Sequence, residues 1–562
     1  MDENMTANIF SVLNTAKLGL QTNQLAIEVT GHNIANVQTE GYSRQDVALE
    51  ANRPRRVGLS FLGTGVRAST ITRDFDQFLY NQILGEGSTL GNYDIRNTFF
   101  ERLETILNES SGVSLNSAMS DFFNSFDDLA SNPTNLSART AVLSTAGTLA
   151  SVFNRLGSSL FQLRMDLDNA VAAEVTEING MLNEVAELNK SIIQVEHGNS
   201  FANDLRDQRD LLINKLSEKL DVQLIDTNDN NTILTLSGGS PLVVGTTVFK
   251  LSTEANLDNQ GFLDILVDDG MGGTNNVTRQ IQGGEMRGYL DMRDVETQGL
   301  IDQLDRLAAG LMEQVNGSHL LGQGMDGSSG NLFFEALNPT VIVGSQNVGT
   351  GAVTATNASP STITVDKYHI QFTGAGTFDL FNQTTNQIEG AFAFAAGVPF
   401  NLANGLAVTI TGAPVAGDTA DISISANAAF NMALSSTVLN DTDKIAAGLS
   451  GTADGQNALN ISNLQNSLVF SGGAYTPGSG SSTLNDFYGS IISGLGSASR
   501  SSQTIMSQQE GVMLQLNTQR ESISGVSLDE EMINLIKFQQ AYAASARMVT
   551  VIEEMFDVLQ RI

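Results

Sequence analysis

The sequence has 562 residues, a length that predicts several domains rather than one hydrophobic core. Its 61 acidic residues outnumber its 29 basic residues and give a formal net charge of −32 at pH 7. Because this charge would repel a phosphate backbone and an anionic lipid surface, we expect no nucleic-acid and no membrane partner. The lack of cysteine excludes disulfides, thiolate metal sites and a cysteine nucleophile.

The start of the chain, MDENMTANIF, does not have the basic and apolar segments of a cleavable secretory signal. No apolar run approaches the roughly 20 residues that a helix needs to span a bilayer. The sequence therefore predicts either a soluble cytosolic protein or one that is exported without a cleavable signal.

Both ends of the chain carry apolar residues at seven-residue spacing. In the N-terminal segment these residues are Leu13, Leu20, Ile27 and Ile34, with Ile9 and Ala16 on the adjoining line. In the C-terminal segment they are Leu528, Leu535, Tyr542, Val549 and Phe556 on one line, and Phe538, Ile552 and Leu559 on a second line that Ser545 interrupts. The repeats predict coiled-coil-like helices over about residues 5–37 and 526–562. Two amphipathic helices packed on a globular core would produce the same pattern.

Between these ends the pattern changes from helical to β and back. Residues from about 92 to 220 have a helical pattern, and β-branched runs with Gly/Asn turns predict short strands from about 221 to 290. A helix returns at TQGLIDQLDRLAAGLMEQVNGSHL. The charge-poor, Thr/Val/Gly/Ala-rich segment from about 336 to 430 predicts an all-β module, and the helical pattern resumes at about Leu484.

These patterns predict a multidomain α+β fold. The N- and C-terminal helices pair as a coiled-coil-like stalk, next to a mainly α-helical middle domain and an inserted all-β module. The predicted domains are 1–60 with 525–562 for the terminal helices, 61–335 with 431–524 for the mainly helical domain with a small β subregion at about 221–290, and 336–430 for the inserted β domain. Because a long two-helix stalk buries few side chains for the backbone that it orders, we expect it to be marginal until neighbouring molecules cover it.

The sequence contains no recognisable catalytic or metal-binding pattern. Its four histidines are scattered, at His32, His197, His319 and His369, and each is interpreted as a surface or core residue. GQGMDG (322–327) follows a helical segment instead of a strand, so it is interpreted as a loop and not as a dinucleotide site. DTNDNN (226–231) has no glycine at position six of a calcium loop and is interpreted as a turn. We therefore expect no enzyme activity, no metal and no cofactor.

Two terminal stretches together resemble a known family. GLQTNQLAIEVTGHNIANVQTEGYSRQ (19–45) and SGVSLDEEMINLIKFQQAYAASARMVTVIEEMFDVL (524–559) are similar to the rod, hook and hook-associated axial proteins of the bacterial flagellum. GYSRQ (41–45) resembles the hook-associated members in particular, and three interior stretches are similar to their helical domain: 202–222, 283–294 and 307–334. The usual NVNTPGY of the family is NVQTEGY here, so Glu40 replaces a proline that sets the turn.

The resemblance implies a structural protein at the junction between hook and filament. Its terminal helices would pair to form an axial tube with neighbouring copies, and its partners would be the hook protein and a second hook-associated protein. It would pass unfolded through the flagellar type III export channel after a cytoplasmic chaperone binds its C-terminal segment. This extracellular, self-assembling protein of the motility apparatus would have no enzymatic role.

The resemblance also gives the polar segment after the N-terminal helix a predicted role. Its polar residues would form hydrogen bonds where that helix leaves the tube and contacts neighbouring subunits; they are Asn33, Asn36, Thr39, Tyr42, Ser43, Arg44 and Gln45. A solvated loop is the other interpretation. For the whole chain, the alternatives are the hook or another rod/hook-type protein, which the long helical region 92–220 disfavours, and a hydrolase displayed on an axial scaffold.

Overall fold

A computed structural model describes residues 3–57, 60–107, 114–196, 201–226, 232–359, 363–402 and 405–561, with side chains from residue 9 to 558 except at 57 and 60. Long helices dominate these ranges. The helices are α1 (Glu3–Ala35), α2 (Gln77–Leu107), α3 (Leu115–Ser131), α4 (Leu136–Val195), α5 (Asn203–Lys219), α6 (Gly284–Asp291), α7 (Gln298–Leu321), α8 (Ala428–Asn431), α9 (Ser436–Asn440), α10 (Gln456–Asn463), α11 (Leu484–Ser524) and α12 (Leu528–Arg561). A π-helical turn, Met292–Thr297, joins α6 to α7.

The strands of the described ranges pair antiparallel throughout. The strands are β1 (Gln45–Ala51), β2 (Arg55–Val57), β3 (Ser60–Leu62), β4 (Val66–Arg73), β5 (Val222–Asp226), β6 (Thr232–Leu236), β7 (Pro241–Val244), β8 (Thr247–Val248), β9 (Leu251–Ala255), β10 (Leu263–Asp268), β11 (Thr274–Asn276), β12 (Thr340–Val343), β13 (Ala352–Asn357), β14 (Lys367–Gly374), β15 (Thr377–Asn382), β16 (Gln387–Ala393), β17 (Pro399–Asn401), β18 (Leu406–Thr411), β19 (Thr419–Ser423), β20 (Phe470–Ser471) and β21 (Ala474–Tyr475).

The two ends of the chain pair with each other as the stalk, which we define as α1 with α12. Their observed bounds agree with the predicted helices to within two residues. The ribbon β1–β4 leads from the base of α1 into the body of the protein, and α11 leads directly into α12. The predicted stalk, helical middle domain and inserted β module are confirmed as a fold class.

The helical body is organised around α4, a helix of 60 residues. Its core is closed by phenylalanines that meet edge to face, such as Phe333 and Phe334 with ring centroids 5.0 Å apart. α11 starts with a capping box, in which Thr483 and Asp486 each accept a backbone N–H from the other. This cap lies where the helical pattern was predicted to resume.

Two small sheets, β5-β6-β7-β8 and β11-β10-β9, pack near α4 and α5. The predicted extent of this β region, to about 290, is too long, since its strands end at Asn276 and α6 begins at Gly284. Met286 and Leu290 lie one helical turn apart and are both buried in the shared core. Between them, a Cβ added to Gly288 would lie 2.8 Å from Ile95 Cβ, so the glycine permits close helix packing.

The β module contains the sheets β12-β19-β14-β15-β16 and β13-β18-β17, which share a core with the helical body. The chain enters and leaves the module at the same place. Glu335 N–H donates to Ala433 O at 2.9 Å, and Ser435 N–H donates to Phe333 O at 2.8 Å. This adjacency is what an insertion between two helical segments requires.

Candidate functional site

The contact between α1 and α12, which we call the stalk seam, is the first part of the candidate assembly site. Ile9, Ala16 and Ile552 are buried in it, with Leu13, Val549 and Phe556 packed against them. The rings of Phe10 and Phe556 are 5.3 Å apart between centroids. The buried core of the stalk is therefore small compared with the cores of the body.

Small residues bring the two helices close together midway along the seam. A Cβ added to Gly19 would lie 2.9 Å from Ser545 Oγ, closer than real Cβ contacts. Ser545 is the residue that interrupts the C-terminal apolar line. At this interruption the two helices approach each other closely, and a larger side chain on either helix would push them apart.

The structure places the predicted apolar seam residues at different depths. Ile552 is buried; the half-buried residues are Leu13, Leu20, Ile27, Ile34, Leu535, Phe538, Val549 and Phe556. Leu528 and Tyr542 are exposed, and the side chain of Leu559 lies outside the described residues. The apolar lines therefore run along the flanks of the seam as well as through its centre.

A second apolar face of α12 points away from α1. Its exposed members are Ile533, Ile536, Val551, Met555 and Val558, with Ile533 66 % exposed. At 100° per residue these side chains lie about 60–160° around the helix from Ile552, on the side away from Phe556. The sequence prediction did not include these five residues because they lie on neither of its two seven-residue lines, although apolar residues at other helical positions gave a signal.

The polar segment at the base of the stalk is bonded inside the chain. Asn33 is buried; its Nδ2 donates to Gln45 O at 2.9 Å and to Glu531 Oε2 at 3.2 Å. Asn33 Oδ1 accepts from Gln45 N–H at 3.0 Å and from the Tyr42 hydroxyl at 2.8 Å. One amide side chain thus links the end of α1, the start of β1 and the start of α12.

Arg44 makes the second link between the two ends of the chain. Its Nε donates to Glu531 Oε1 at 2.9 Å, and its backbone N–H donates to Ser524 O at 2.8 Å. The Glu531 carboxylate is buried, with Glu530 alongside at 3.6 Å from the Arg44 guanidinium. A buried carboxylate that keeps both a cation and an amide partner holds the start of α12 in one position.

Helix α5 holds the other side of the segment. Ser43 N–H donates to Asp207 Oδ2 at 2.9 Å, and Gln45 Nε2 donates to Asp204 Oδ1 at 2.7 Å. Arg73 bridges Asp207 at 2.7 Å and Asp210 at 2.5 Å. Burial alone would lower the pKa of Arg73, but the two carboxylates outweigh it and raise the pKa. We call the Asn33, Arg44, Arg73, Asp207 and Glu531 network the base clamp.

A cleft of about 700 Å³ opens beside the base clamp, between the turn after α1, the start of α2 and the α11–α12 connection. Tyr42 lines it, and burial, followed by the charges of Asp204 and Asp207, raises the pKa of the Tyr42 hydroxyl above its usual range. Burial also raises the pKa of Asp207, with Arg73 acting in the opposite direction. The phenol therefore stays protonated and donates to Asn33.

Glu40 in place of the usual proline does not prevent the turn after α1 from forming. Thr39 N–H donates to Asn36 O at 2.9 Å, and Tyr42 N–H donates to Thr39 O at 3.2 Å. Glu40, in the place of the proline, is exposed. Gly41 has φ +78°, and an added Cβ would lie 3.1 Å from Leu211, so this position requires glycine.

Three histidines have structural surroundings, and His197 lies outside the described residues. His319 is buried; its Nε2 accepts from Ala446 N–H at 2.9 Å, and its Nδ1 lies 2.7 Å from Asn331 O. GQGMDG is a loop after α7, as predicted, whereas DTNDNN falls largely outside the described residues. In the part of the chain that the structure describes, no cluster of three potential metal ligands occurs, and none of the helices could cross a membrane.

Family models match three parts of the chain. The helical domain of the flagellar hook-associated protein FlgK matches residues 100–334. The model named flagella basal body rod protein matches residues 13–42, and the C-terminal model of the basal body rod FlgEFG proteins matches residues 518–562. The two rod models thus fall on the stalk, together with Asn33 and Glu531 of the base clamp, and the FlgK model falls on the body, together with Asp207.

Whole-chain comparisons agree with these matches. The chain is 28 % identical to flagellar hook-associated protein 1 of Escherichia coli K12 over 98 % of this chain and 99 % of that protein. It is also 28 % identical to the protein of that name in Bacillus subtilis 168, over 98 % and 97 %. The solved hook junction protein FlgK of Burkholderia pseudomallei has a similar fold, with a TM-score of 0.69 and 21 % identity over 79 % of this chain and 100 % of that one.

Proposed function

The chain belongs to the FlgK family of flagellar hook-associated proteins, structural components of the hook–filament junction, and on that premise we propose that its stalk assembles side by side with other stalks into an axial tube. The single observation that carries this proposal is the second apolar face of α12. Ile533 is 66 % and Val551 is 54 % exposed, although a different side of the same helix already packs on α1. A helix that is apolar on two sides is suited to contact two neighbours.

Burial of this second face supplies the driving force for assembly. Each large aliphatic side chain that leaves water contributes ~1.5–3 kcal/mol, so several of them offset the entropy of ordering the stalk. Phe10 on α1 is 59 % exposed and provides apolar surface on the other helix. Contacts between unlike faces, repeated around an axis, generate a ring or a tube.

The base clamp gives the stalk a defined direction relative to the body. We propose that Asn33, Asn36, Tyr42 and Arg44 act in assembly by holding the stalk in this direction. The apolar seam residues are then oriented for packing against neighbouring stalks. The hydrogen bonds of Asn33 and the ion pair of Arg44 with Glu531 support this role. A stalk that swung freely would lose far more orientation entropy on joining a tube.

Family membership ties the chain to the hook and to other flagellar components. Beyond this, we propose the hook protein and a second hook-associated protein as direct partners, and type III export in an unfolded state after chaperone capture of the C-terminal segment. The exposed apolar side chains of α12 are a suitable target for a chaperone. We also propose a purely structural, non-enzymatic role without cofactors.

The proposed domains are 1–60 with 525–562, 61–335 with 431–524, and 336–430. Two observations support this division. The buried cluster of the stalk shares no described residue with the two large clusters of the body. The bridge between Phe334 and Leu434 lies at the neck of the β module.

The test uses two substitutions on the second face, Ile533→Asp with Val551→Asp, made in the sole copy of the chain in flagellated cells. We expect loss of the chain from isolated hooks and loss of filaments, because two carboxylates would have to be buried between stalks. The purified variant should keep the unfolding midpoint of its body. The matched control is Leu514→Asp, a 71 % exposed site on α11, which should assemble normally. Normal incorporation of the double variant would contradict the proposal.

A further inference from the structure

A short hairpin formed by β2 and β3 extends from the end of the β1–β4 ribbon. Arg53, Arg55, Arg56, Phe61 and Leu62 are all exposed on it, and Phe61 is 72 % exposed. Residues 51–73 contain five arginines and no acidic residue, in a chain with a net charge of −32. An exposed aromatic flanked by arginine has the composition of a protein-interface anchor.

The hairpin register places an arginine beside an apolar side chain on each face. Arg55 pairs with Leu62, and Arg56 pairs with Phe61. Residues directly opposite in an antiparallel pair lie on the same face, and successive pairs alternate faces. Either face of the hairpin thus offers one cation and one apolar contact to a partner.

The complementary chemistry lies at the start of α12. Residues 528–536 contain three acidic residues and no basic residue. Asp529, Ile533 and Ile536 are exposed, and they fall on one side of the helix at four- and three-residue spacing. This stripe offers a carboxylate beside two aliphatic side chains, which matches the arginine and apolar pairs of the hairpin in charge and in hydrophobicity.

The hairpin cannot cover the stripe of its own chain. Thr15 Cγ2 lies within 3.2 Å of a Cβ built on Gly65, so the hairpin starts beside the middle of α1. The stripe begins beside Glu531, which contacts Asn33. Eighteen helical residues from Thr15 to Asn33 span ~27 Å. Phe61 and Leu62 lie at most four residues from Gly65 along the strand, or ~14 Å.

We propose that the β2–β3 hairpin docks on the stripe formed by Asp529, Ile533 and Ile536 of a second copy of this chain. The neighbour is displaced along the stalk so that its α12 start lies level with the hairpin. This inference rests on the proposed side-by-side assembly of stalks and adds the surface that sets the displacement. Arg55 or Arg56 pairs with Asp529 of the neighbour, and Phe61 or Leu62 covers Ile533.

Cysteine cross-linking tests this contact directly, because the chain has no cysteine of its own. Phe61→Cys with Ile533→Cys, as the sole copy of the chain, should give disulfide-linked multimers when isolated flagella are oxidised and run without reductant. The matched control is Phe61→Cys with Leu514→Cys, which carries an equally exposed partner site on α11. The control should remain monomeric. Monomers only from the first pair, or equal multimers from both pairs, would overturn the contact.

Charge reversal separates this inference from the proposed function. Arg55→Glu with Arg56→Glu should lower incorporation at least tenfold, and a further Asp529→Arg should restore much of it. If both hairpin variants assemble like the unmodified chain while Ile533→Asp with Val551→Asp does not, the hairpin contact is wrong and tube assembly stands. If all three variants assemble normally, the proposed function fails as well.

Discussion

Single side chains at the base of the stalk connect segments that are hundreds of residues apart. Asn33 and Glu531 are separated by 498 positions and meet at 3.2 Å, while Arg73 reaches Asp207 across 134 positions. The polar residues of the opening motif are recognisable from sequence, because so many amides and hydroxyls follow an apolar repeat. Their partners are not recognisable, since an acidic residue on α5 looks like any solvated helix residue until the fold brings it to Arg73.

Arg73→Met tests the base clamp at the residue scale. The substitution removes the cation between Asp207 and Asp210: Asp210 keeps Arg209 at 3.1 Å, but the buried Asp207 carboxylate is left without a cation. We expect the free energy of unfolding of the region around α5 to fall by ~3–5 kcal/mol. Hydrogen exchange of the α5 amides, followed through a urea titration, measures this loss.

The matched control for Arg73→Met is Arg67→Met on the same strand. Arg67 pairs with Glu50 at 2.9 Å, but both side chains are more than half exposed. Exposed pairs contribute ~0–1 kcal/mol, so this variant should exchange like the unmodified chain. Equal effects of the two substitutions would mean that the clamp adds no more than a surface ion pair.

Among the elements, the long helices were the most accurately predicted and the second face of α12 the least. The seven-residue repeats predict that α1 and α12 pair, and the structure buries Ile9 and Ala16 of α1 and Ile552 of α12 between them. The repeats contain no information on side chains that contact another molecule. The end of the small β region was misplaced because Met286 and Leu290 are compatible with either period over so short a segment.

Gly19→Val tests the close approach of the two stalk helices. A Cβ at Gly19 would lie 2.9 Å from Ser545 Oγ, and a branched side chain adds further bulk. We expect the helices to separate, so that the amides of α12 near Ser545 exchange at least tenfold faster. Gly31→Ala serves as the control, because nothing lies within 4 Å of its added Cβ. It should be neutral or stabilising by up to ~1 kcal/mol. Unchanged exchange in Gly19→Val would show that the seam can absorb a larger residue.

At the scale of the whole molecule, the chain combines a body with two large cores and a stalk with a small one. The described clusters of the body contain residues of α2 to α11 and of the strands, and none from α1 or α12. The sequence predicted this division because the residue pattern between the two ends of the chain differs from the seven-residue apolar repeats at those ends. From this division we expect the body to fold independently of the stalk.

Hydrogen exchange on the isolated monomer tests that independence. Among the described residues, the apolar cluster of the stalk buries only Ile9, Ala16 and Ile552, so we expect the stalk amides to exchange at least a hundredfold faster than those of α4. In isolated hooks that carry the chain, the same amides should become protected. A chain without residues 526–562 provides the control: its body should keep its unfolding midpoint, while incorporation and chaperone binding are lost. Slow exchange of the stalk in a verified monomer would mean that the two helices are stable without neighbours, and assembly would then not be what orders them.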